Sequence, residues 1–252
     1  MTPEEKFIFD LDGYIVIKDV LTEEEVATIN AITDEKQKQK EAGEDVGRPS
    51  TWGPLFRDML DHPTVMPYLI ELLGPKVRID HDYAIFMEKG QSRGRLHGGD
   101  NGREGDHWYK YRDGMIRTGL SVLTYFGAPA GPGDGGFCCI PGTHKTNFLS
   151  SIPQEVREFK RGAHYVRQPA VEPGDALIFT EALIHGTMTW TADHERRALL
   201  YKFSPGHSTW SDNFYTADEF GELTEQQERI LAPPCVGKRP DSVENWEELI
   251  AN

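Results

Sequence analysis

Short apolar segments, each bounded by Gly, Pro or Asp, fill the chain from residue 74 to residue 203. Segments of strand length that are separated by turn residues predict an all-β barrel or sandwich. They cover residues 77–87, 118–126, 137–140, 163–171, 176–179 and 198–203. A chain of 252 residues is long enough to form one such domain around a buried core.

Helical patterns lie on either side of these segments. Thr22 and Glu25 form a capping box that predicts the start of a helix, and a second amphipathic helix is predicted over 63–73 with Gly74 at its end. A third is predicted over 219–231. We therefore predict one domain over 1–252, with a helical part at about 20–74, a β core at about 75–205 and a C-terminal extension at 206–252.

The charge balance restricts the possible partners. Lys and Arg number 27 against 41 Asp and Glu, and the resulting net charge of −14 opposes binding to nucleic acid or to an anionic membrane. The three cysteines form no C-x-x-C motif, and no apolar run approaches the roughly 20 residues that span a bilayer. The N-terminus shows no signal-peptide pattern. We expect a cytoplasmic protein whose partner is a small molecule.

Two histidines and an arginine are placed to form one site. His97 ends an extended run, His185 follows a Gly-Asp turn and a strand, and Arg196 opens the next strand 11 residues later. Oxygenases often bind Fe(II) through two histidines and one carboxylate, and an arginine pairs with a carboxylate through two parallel hydrogen bonds. The pattern predicts a mononuclear iron site with an anchor for an anionic cosubstrate. Arg197 is expected on the opposite face of the strand.

Four motifs together resemble the phytanoyl-CoA dioxygenase family of Fe(II)/2-oxoglutarate-dependent oxygenases. They are Asp12-Gly13-Tyr14-Ile15-Val16-Ile17-Lys18-Asp19-Val20-Leu21, Ile140-Pro141-Gly142-Thr143-His144-Lys145, the run from Pro173-Gly174-Asp175 to His185-Gly186, and Arg196-Arg197-Ala198-Leu199-Leu200. The resemblance implies a mainly β fold with flanking helices, built on a double-stranded β-helix (jelly-roll, cupin-like) core. It also implies Fe(II), 2-oxoglutarate and O2 as cofactor and cosubstrates. By resemblance, His97 and His185 are metal ligands, Arg196 anchors 2-oxoglutarate, and Thr187 and Tyr83 assist in the cosubstrate pocket.

The carboxylate ligand departs from the family pattern. The family has H-x-D, but Gly99 stands two residues after His97, and none of the nine histidines has Asp or Glu two residues on. Gly99 resembles the H-x-G site of iron/2-oxoglutarate halogenases, in which chloride fills the open position. Alternatively, Asp100 or an acid of the following loop, Glu104 or Asp106, supplies a displaced ligand, since adjacent glycines give the backbone latitude. The site would otherwise have only two protein ligands and water.

The sequence thus predicts an oxygenase that acts on an aliphatic C–H bond of a small molecule. Hydroxylation is the leading prediction, and halogenation is the alternative that Gly99 raises. A non-catalytic cupin-like binding protein is the alternative from another class. His144 is expected to be structural, and the long loop at 100–117 is expected to be functional or mobile.

Overall fold

The computed structural model of the chain describes residues 1–99 and 105–251. The strands in these ranges are β1 (Tyr14–Ile17), β2 (Arg78–Met87), β3 (Arg93–His97), β4 (Tyr109–Arg112), β5 (Met115–Thr118), β6 (Ser121–Phe126), β7 (Gly136–Ile140), β8 (Ala176–Thr180), β9 (Ile184–Met188) and β10 (Arg196–Ser204). The helices are α1 (Pro3–Asp12), α2 (Glu23–Glu41), α3 (Pro54–Asp58), α4 (Met66–Leu73), α5 (Gln154–Arg157), α6 (Glu225–Leu231) and α7 (Trp246–Ala251). Single 3-10 turns occur at Pro49–Thr51, Thr143–Lys145, Leu149–Ser151 and Ala217–Glu219.

Two antiparallel sheets form the centre of the molecule. One has the strand order β1-β8-β6-β10-β2, and the other has the order β3-β9-β7. From β6 to β10 the chain passes to the other sheet at every step, which is the winding of a double-stranded β-helix, or jelly roll. The predicted fold class, mainly β with flanking helices around this core, is confirmed.

The larger sheet separates two layers of apolar packing. Along β10, Leu199, Tyr201 and Phe203 pack toward the helices, whereas Ala198 and Leu200 pack between the two sheets. This alternation follows from the two-residue period of a strand. One face of the larger sheet therefore packs against the helices, and the other face lines the space between the two sheets.

The N-terminal part differs from the predicted boundaries. Helix α1 begins at Pro3, and strand β1 joins the edge of the larger sheet through β8, so the helical and β parts interleave before residue 20. The sequence signal for α1 was present, because Thr2 and Glu5 form a capping box and Gly13 ends the helix with a φ of 80°. The predicted capping box of α2 at Thr22 and Glu25 is confirmed.

Other predicted bounds also shift. Residues 163–171 form no strand and contribute only isolated bridges at Arg167 and Val171. The second and third predicted helices begin later, at Met66 and Glu225. The described part of the predicted loop at 100–117 contains the hairpin β4–β5, whose turn at Asp113 and Gly114 has positive φ at both residues.

The segment after β10 folds back over the start of β2. The buried Asp80 carboxylate accepts hydrogen bonds from the backbone N–H of Trp210 at 2.8 Å and of Ser211 at 3.0 Å, and it pairs with Arg78 at 3.0 Å. This network holds Trp210 at the end of the sheets. Across the described ranges no helix has the length and apolar character needed to span a bilayer.

Candidate metal centre

His97 and His185 lie side by side across the smaller sheet. They are register partners on β3 and β9, and their ring centroids are 4.4 Å apart. Each Nδ1 lies 2.8 Å from a backbone carbonyl, that of Arg95 for His97 and that of Leu183 for His185. A carbonyl can only accept, so each Nδ1 carries a proton, and in the neutral ring Nε2 is the nitrogen with the lone pair. Both rings are thus held in the tautomer that binds a metal through Nε2.

The two histidines differ in environment. His97 is exposed toward a cleft, whereas His185 is buried against the ring of Phe179, whose centroid is 4.6 Å away. Burial lowers the pKa of His185 to about 4, which leaves the imidazole neutral at neutral pH. A neutral imidazole is the form that binds a metal ion.

A carboxylate that the sequence analysis did not single out stands next to His185. Glu181 lies in the turn between β8 and β9; its Oε2 is 3.6 Å from Nε2 of His185 and 3.9 Å from Nε2 of His107. Its other oxygen pairs with Lys202 at 2.6 Å. Burial by itself raises the pKa of Glu181, but the imidazole of His185, which is protonated in acid, and the ammonium of Lys202 outweigh it, and the pKa falls to about 2. Glu181 is therefore a buried carboxylate at neutral pH.

Glu181 could have been found from one sequence signal. It is a charged residue within an apolar run, four residues before His185, in Thr180-Glu181-Ala182-Leu183-Ile184-His185. A buried charge in such a run requires a partner. In the described ranges, no three His, Cys, Asp or Glu side chains are already arranged to hold a metal ion.

The two glycines after His97 pack tightly against the turn that carries Glu181. Both have positive φ, and the N–H of Gly99 donates to the carbonyl of Glu181 at 3.0 Å. A Cβ at Gly98 would lie 2.5 Å from the carbonyl oxygen of Leu183. A Cβ at Gly99 would meet the apolar side chains of Leu149 at 2.7 Å and Ile184 at 2.9 Å. The predicted alternative ligands Asp100 and Glu104 lie outside the described residues.

Asp106, the remaining acid proposed from the loop, is engaged elsewhere. Its carboxylate accepts a hydrogen bond from the hydroxyl of Ser204 at 3.1 Å. Ser204 also donates to Asp80, so Asp106 belongs to the network that holds the segment after β10. The structure does not bring Asp106 to the histidine pair.

Arg196 is buried between the sheets. Its side chain is 3% exposed, and its Nε and Nη1 find no hydrogen-bond partner among the described residues. Burial lowers the pKa of Arg196 to about 10, and the group still carries its charge at neutral pH. An enclosed guanidinium with unused donors is suited to an anionic ligand, because an unpaired buried charge is costly.

The residues predicted to help Arg196 lie on elements around it. Tyr83 is on β2, the strand that pairs with β10, and its side chain packs against the apolar cluster between the sheets. Thr187 is two residues after His185 on β9, hence on the same face of the strand. Arg197 points away, as predicted, and pairs with Asp34 at 2.5 Å on the outside.

A cleft of about 870 Å³ opens in front of His97. Its described lining residues are Arg95, Leu96, His97, Gly98, Gly99, His107, Leu120, Ser150, Gln154, Arg157, Glu181, Lys202 and Trp210. Trp210 stacks on His107 at its edge, with centroids 4.9 Å apart. A second cleft of about 590 Å³, between α2, residues 46–52 and β2, includes Tyr83 but neither His97 nor His185. The first cleft therefore gives a small molecule access to His97 and Glu181.

Facing jelly-roll sheets with a histidine pair between them define a cupin-like double-stranded β-helix protein. Residues 9–198 match the family Phytanoyl-CoA dioxygenase (PhyH), and the chain belongs to this family. Its members are iron- and 2-oxoglutarate-dependent oxygenases. No functionally curated protein shows significant sequence similarity to the chain.

Solved structures share the fold. HygX from Streptomyces hygroscopicus, with nickel and 2-oxoglutarate bound, is 22% identical with a TM-score of 0.70, over 88% of this chain and 95% of that one. AviO1 from Streptomyces viridochromogenes is 15% identical with a TM-score of 0.58, over 80% and 93%. EctD from S. alaskensis is 20% identical with a TM-score of 0.61, over 89% and 82%.

Proposed function

We propose that the chain is a non-haem Fe(II)/2-oxoglutarate-dependent oxygenase that hydroxylates an aliphatic C–H bond of a small molecule. The observation that carries this proposal is Arg196, a buried guanidinium with two unused donors on the inner face of β10. In a binding protein without an anionic ligand, this charge would only lower stability. The far carboxylate of 2-oxoglutarate would satisfy it.

The chain's own residues have separable roles. His97 and His185 would hold the iron through Nε2, since their backbone contacts fix the ring orientation. Thr187 and Tyr83 would donate hydroxyl hydrogen bonds to the cosubstrate beside Arg196, and Phe179 excludes water from one side of His185. When bound, the iron would supply the activation of O2 that couples decarboxylation of 2-oxoglutarate to oxidation of the substrate.

Two observations favour hydroxylation over halogenation. A side chain at position 99 would point into Leu149 and Ile184, so the absence of a carboxylate there is explained by packing without a halide. The buried carboxylate of Glu181 already places a negative charge 3.6 Å from Nε2 of His185. This charge would repel a chloride ion bound to the same metal.

The substrate would enter through the cleft in front of His97. A structure of HygX, which shares the fold, contains bound nickel, 2-oxoglutarate and hygromycin B, and this supports a small molecule as the substrate of this chain. Arg95 and Arg157 line the cleft of this chain. Apart from the paired Glu181 and Lys202, they are the charged side chains among its described lining residues, and they suit an anionic group on the substrate.

An anaerobic titration tests the proposal. Fe(II) and 2-oxoglutarate are added to the protein, and the visible metal-to-ligand charge-transfer band is followed with and without chloride. We expect a band that is indifferent to chloride. A band that shifts with chloride would instead support halogenation, and the absence of any band would leave the binding-protein alternative.

Adjacent arginines provide a matched pair of variants for the same titration. Arg196→Met should weaken 2-oxoglutarate binding by roughly 100-fold, because truncating one partner of a buried charge pair costs about 2–5 kcal/mol. Arg197→Met removes an equal charge from the outer face and should leave affinity within about 3-fold, since surface ion pairs contribute little. Equal effects of the two variants would contradict the anchor role of Arg196.

A further inference from the structure

We propose that Glu181 supplies the third protein ligand of the metal, through the Oε2 atom of its side chain. This inference rests on the proposed function, because it concerns the same metal. It places the carboxylate on the turn between β8 and β9, whereas the family pattern places it two residues after the first histidine.

The spacing allows Glu181 and His185 to bind one ion. Ligand nitrogen and oxygen atoms lie about 2.1 Å from a transition metal, so two donors of one ion are at most about 4.2 Å apart. Oε2 of Glu181 is 3.6 Å from Nε2 of His185, within that limit. His97 is the cross-strand partner of His185, with ring centroids 4.4 Å apart. With its carboxylate rotated toward the ion, Glu181 would complete a set of two histidines and one acid.

Oε2 of Glu181 and Nε2 of His185 face each other at 3.6 Å, which is too far for a hydrogen bond. Nδ1 of His185 donates to the carbonyl of Leu183, so in the neutral ring Nε2 is the atom with the lone pair. Oε2 of Glu181 also carries lone pairs and faces this nitrogen. Two acceptors directed at each other repel unless a cation lies between them, and a metal ion satisfies both.

Lys202 pairs with only one of the two carboxylate oxygens of Glu181. Its ammonium binds Oε1 at 2.6 Å, and Oε2 is left facing the imidazoles of His185 and His107. An ion pair alone does not explain why the second oxygen points at two imidazole nitrogens. Carboxylates that bind a metal through one oxygen commonly have the other held by a hydrogen-bond donor, which is the part that Lys202 would take.

The glycines after His97 make this arrangement possible. The N–H of Gly99 donates to the carbonyl of Glu181, and a Cβ at Gly98 would lie 2.9 Å from the same carbonyl oxygen. Any side chain at position 98 would push the turn away from β3. Gly99 stands where the family has its carboxylate ligand. Its backbone is thus hydrogen-bonded to Glu181, the residue that would supply the carboxylate instead.

The experiment measures Co(II) affinity by anaerobic titration, in the presence of 2-oxoglutarate, for the wild type and three variants. Glu181→Met removes the ligand, Glu181→Met with Lys202→Met also removes the buried unpaired ammonium, and Asp100→Asn removes the rival acid. We expect both Glu181 variants to lose affinity by at least about 100-fold, beyond the 10- to 100-fold typical of residues that only orient a ligand. Asp100→Asn should bind as the wild type does.

Several results would overturn the inference. Recovery of affinity in the double variant would show that Glu181 acts only by neutralising Lys202. Wild-type affinity in Glu181→Met, with loss in Asp100→Asn, would assign the ligand to Asp100. A crystal structure of the Co(II)-loaded wild type adds a direct readout that needs no variant: Oε2 of Glu181 should lie at about 2.1 Å from the metal, and an Oε2 beyond bonding distance would exclude it.

The outcomes also separate this inference from the proposed function. If the wild type binds neither metal nor 2-oxoglutarate, both fail. If the wild type binds both ligands and Glu181→Met does so equally well, only the role of Glu181 fails, and the oxygenase assignment stands.

Discussion

Gly99 illustrates how one residue can be read in two ways. Its position in an H-x-G pattern suggests an open coordination site, whereas its surroundings show that a side chain would collide with Leu149 and Ile184. A positive φ of 86° adds a second reason for glycine at this position. Local packing is thus sufficient to require glycine here.

Substitution of Gly99 by alanine should destabilise the protein more than the same substitution at Gly90. Both glycines have φ near 90°, but a Cβ at Gly90 would meet nothing within 4 Å. Each variant should lose about 1–2 kcal/mol from the backbone conformation, and Gly99→Ala should lose roughly 1–3 kcal/mol more from overpacking. Urea unfolding of both variants measures the difference, and equal losses would show that position 99 is not crowded.

An aspartate at position 99 should fail to create a metal ligand. Gly99→Asp restores the family sequence H-x-D, but its side chain would start toward Leu149 and Ile184. We expect lower stability and no gain in Fe(II) affinity, as measured by anaerobic titration. Tighter iron binding would show that position 99 does face the metal, and halogenation would then become the favoured prediction.

The residues of the site were only partly predictable from sequence. His97 and His185 were expected in one constellation, and they are indeed register partners, because strand patterns and turn residues constrain which segments can pair. The family pattern places the acid two residues after a histidine, so it does not point to Glu181, which precedes His185 by four residues. The close packing of Gly98 and Gly99 on the turn that carries Glu181 is a tertiary contact, which sequence alone does not specify.

At the scale of elements, His144 joins α1 to the rest of the molecule. Its 3-10 turn packs on the end of α1, with Nε2 3.0 Å from the carbonyl of Asp10. The ring of Tyr109 stacks edge-on at 4.6 Å, and the Tyr109 hydroxyl donates to the Asp10 carboxylate. One buried histidine therefore contacts a helix and a hairpin, in the structural role expected from sequence.

The protein should lose stability in acid through His144. Burial lowers the pKa of His144 to about 4 from the ordinary 6.5, so between these values the unfolded chain takes up a proton that the folded chain does not. The contribution of His144 to the free energy of unfolding is complete above pH 6.5 and falls as the pH drops to 4. The loss is about 3 kcal/mol, at 1.36 kcal/mol for each unit of pKa shift. His144→Gln keeps a donor near the Nε2 position and should remove this dependence. Urea unfolding from pH 7 to pH 4 compares the two proteins, and parallel pH profiles would contradict the prediction.

The hairpin β4–β5 was not predicted, and the strand predicted at 163–171 does not form. In both segments the sequence pattern fits more than one local structure. Asp113-Gly114 is a favoured hairpin turn, but its flanking strands are mostly exposed and lack a clear apolar alternation. Residues 163–171 have apolar positions of strand spacing, yet they find partners only at single bridges. Whether a short segment pairs depends on which edge is free nearby, and that is a property of the assembled sheets.

At the scale of the whole molecule, charge is distributed unevenly. The net charge is −14, yet Arg95 and Arg157 both line the cleft before His97. Their mutual repulsion contributes to lowering the pKa of Arg157, after burial as the larger cause. A cationic entrance on an acidic protein concentrates anions locally.

Compounds that stimulate turnover of 2-oxoglutarate should accordingly carry a negative charge. A panel of anionic, neutral and cationic small molecules can be screened by succinate formation. We expect anionic members to stimulate most, with an effect that weakens in Arg157→Gln and at high ionic strength. Arg112→Gln, an exposed arginine outside the described cleft lining, is the control. Stimulation by cationic compounds alone would contradict this assignment.

Strand β10 also limits where residues can be inserted into this fold or deleted from it. It is paired on both sides, and its inner face carries Arg196 and Lys202 while its outer face carries Arg197 and the residues that pack on the helices. Because the faces alternate, deletion of one residue within the strand would exchange the faces of the strand residues beyond the deletion, whereas deletion of two would preserve them. Insertions and deletions in descendants of this sequence should therefore collect in the turns, and an odd-numbered change inside β10 should mark a gene that has lost its function.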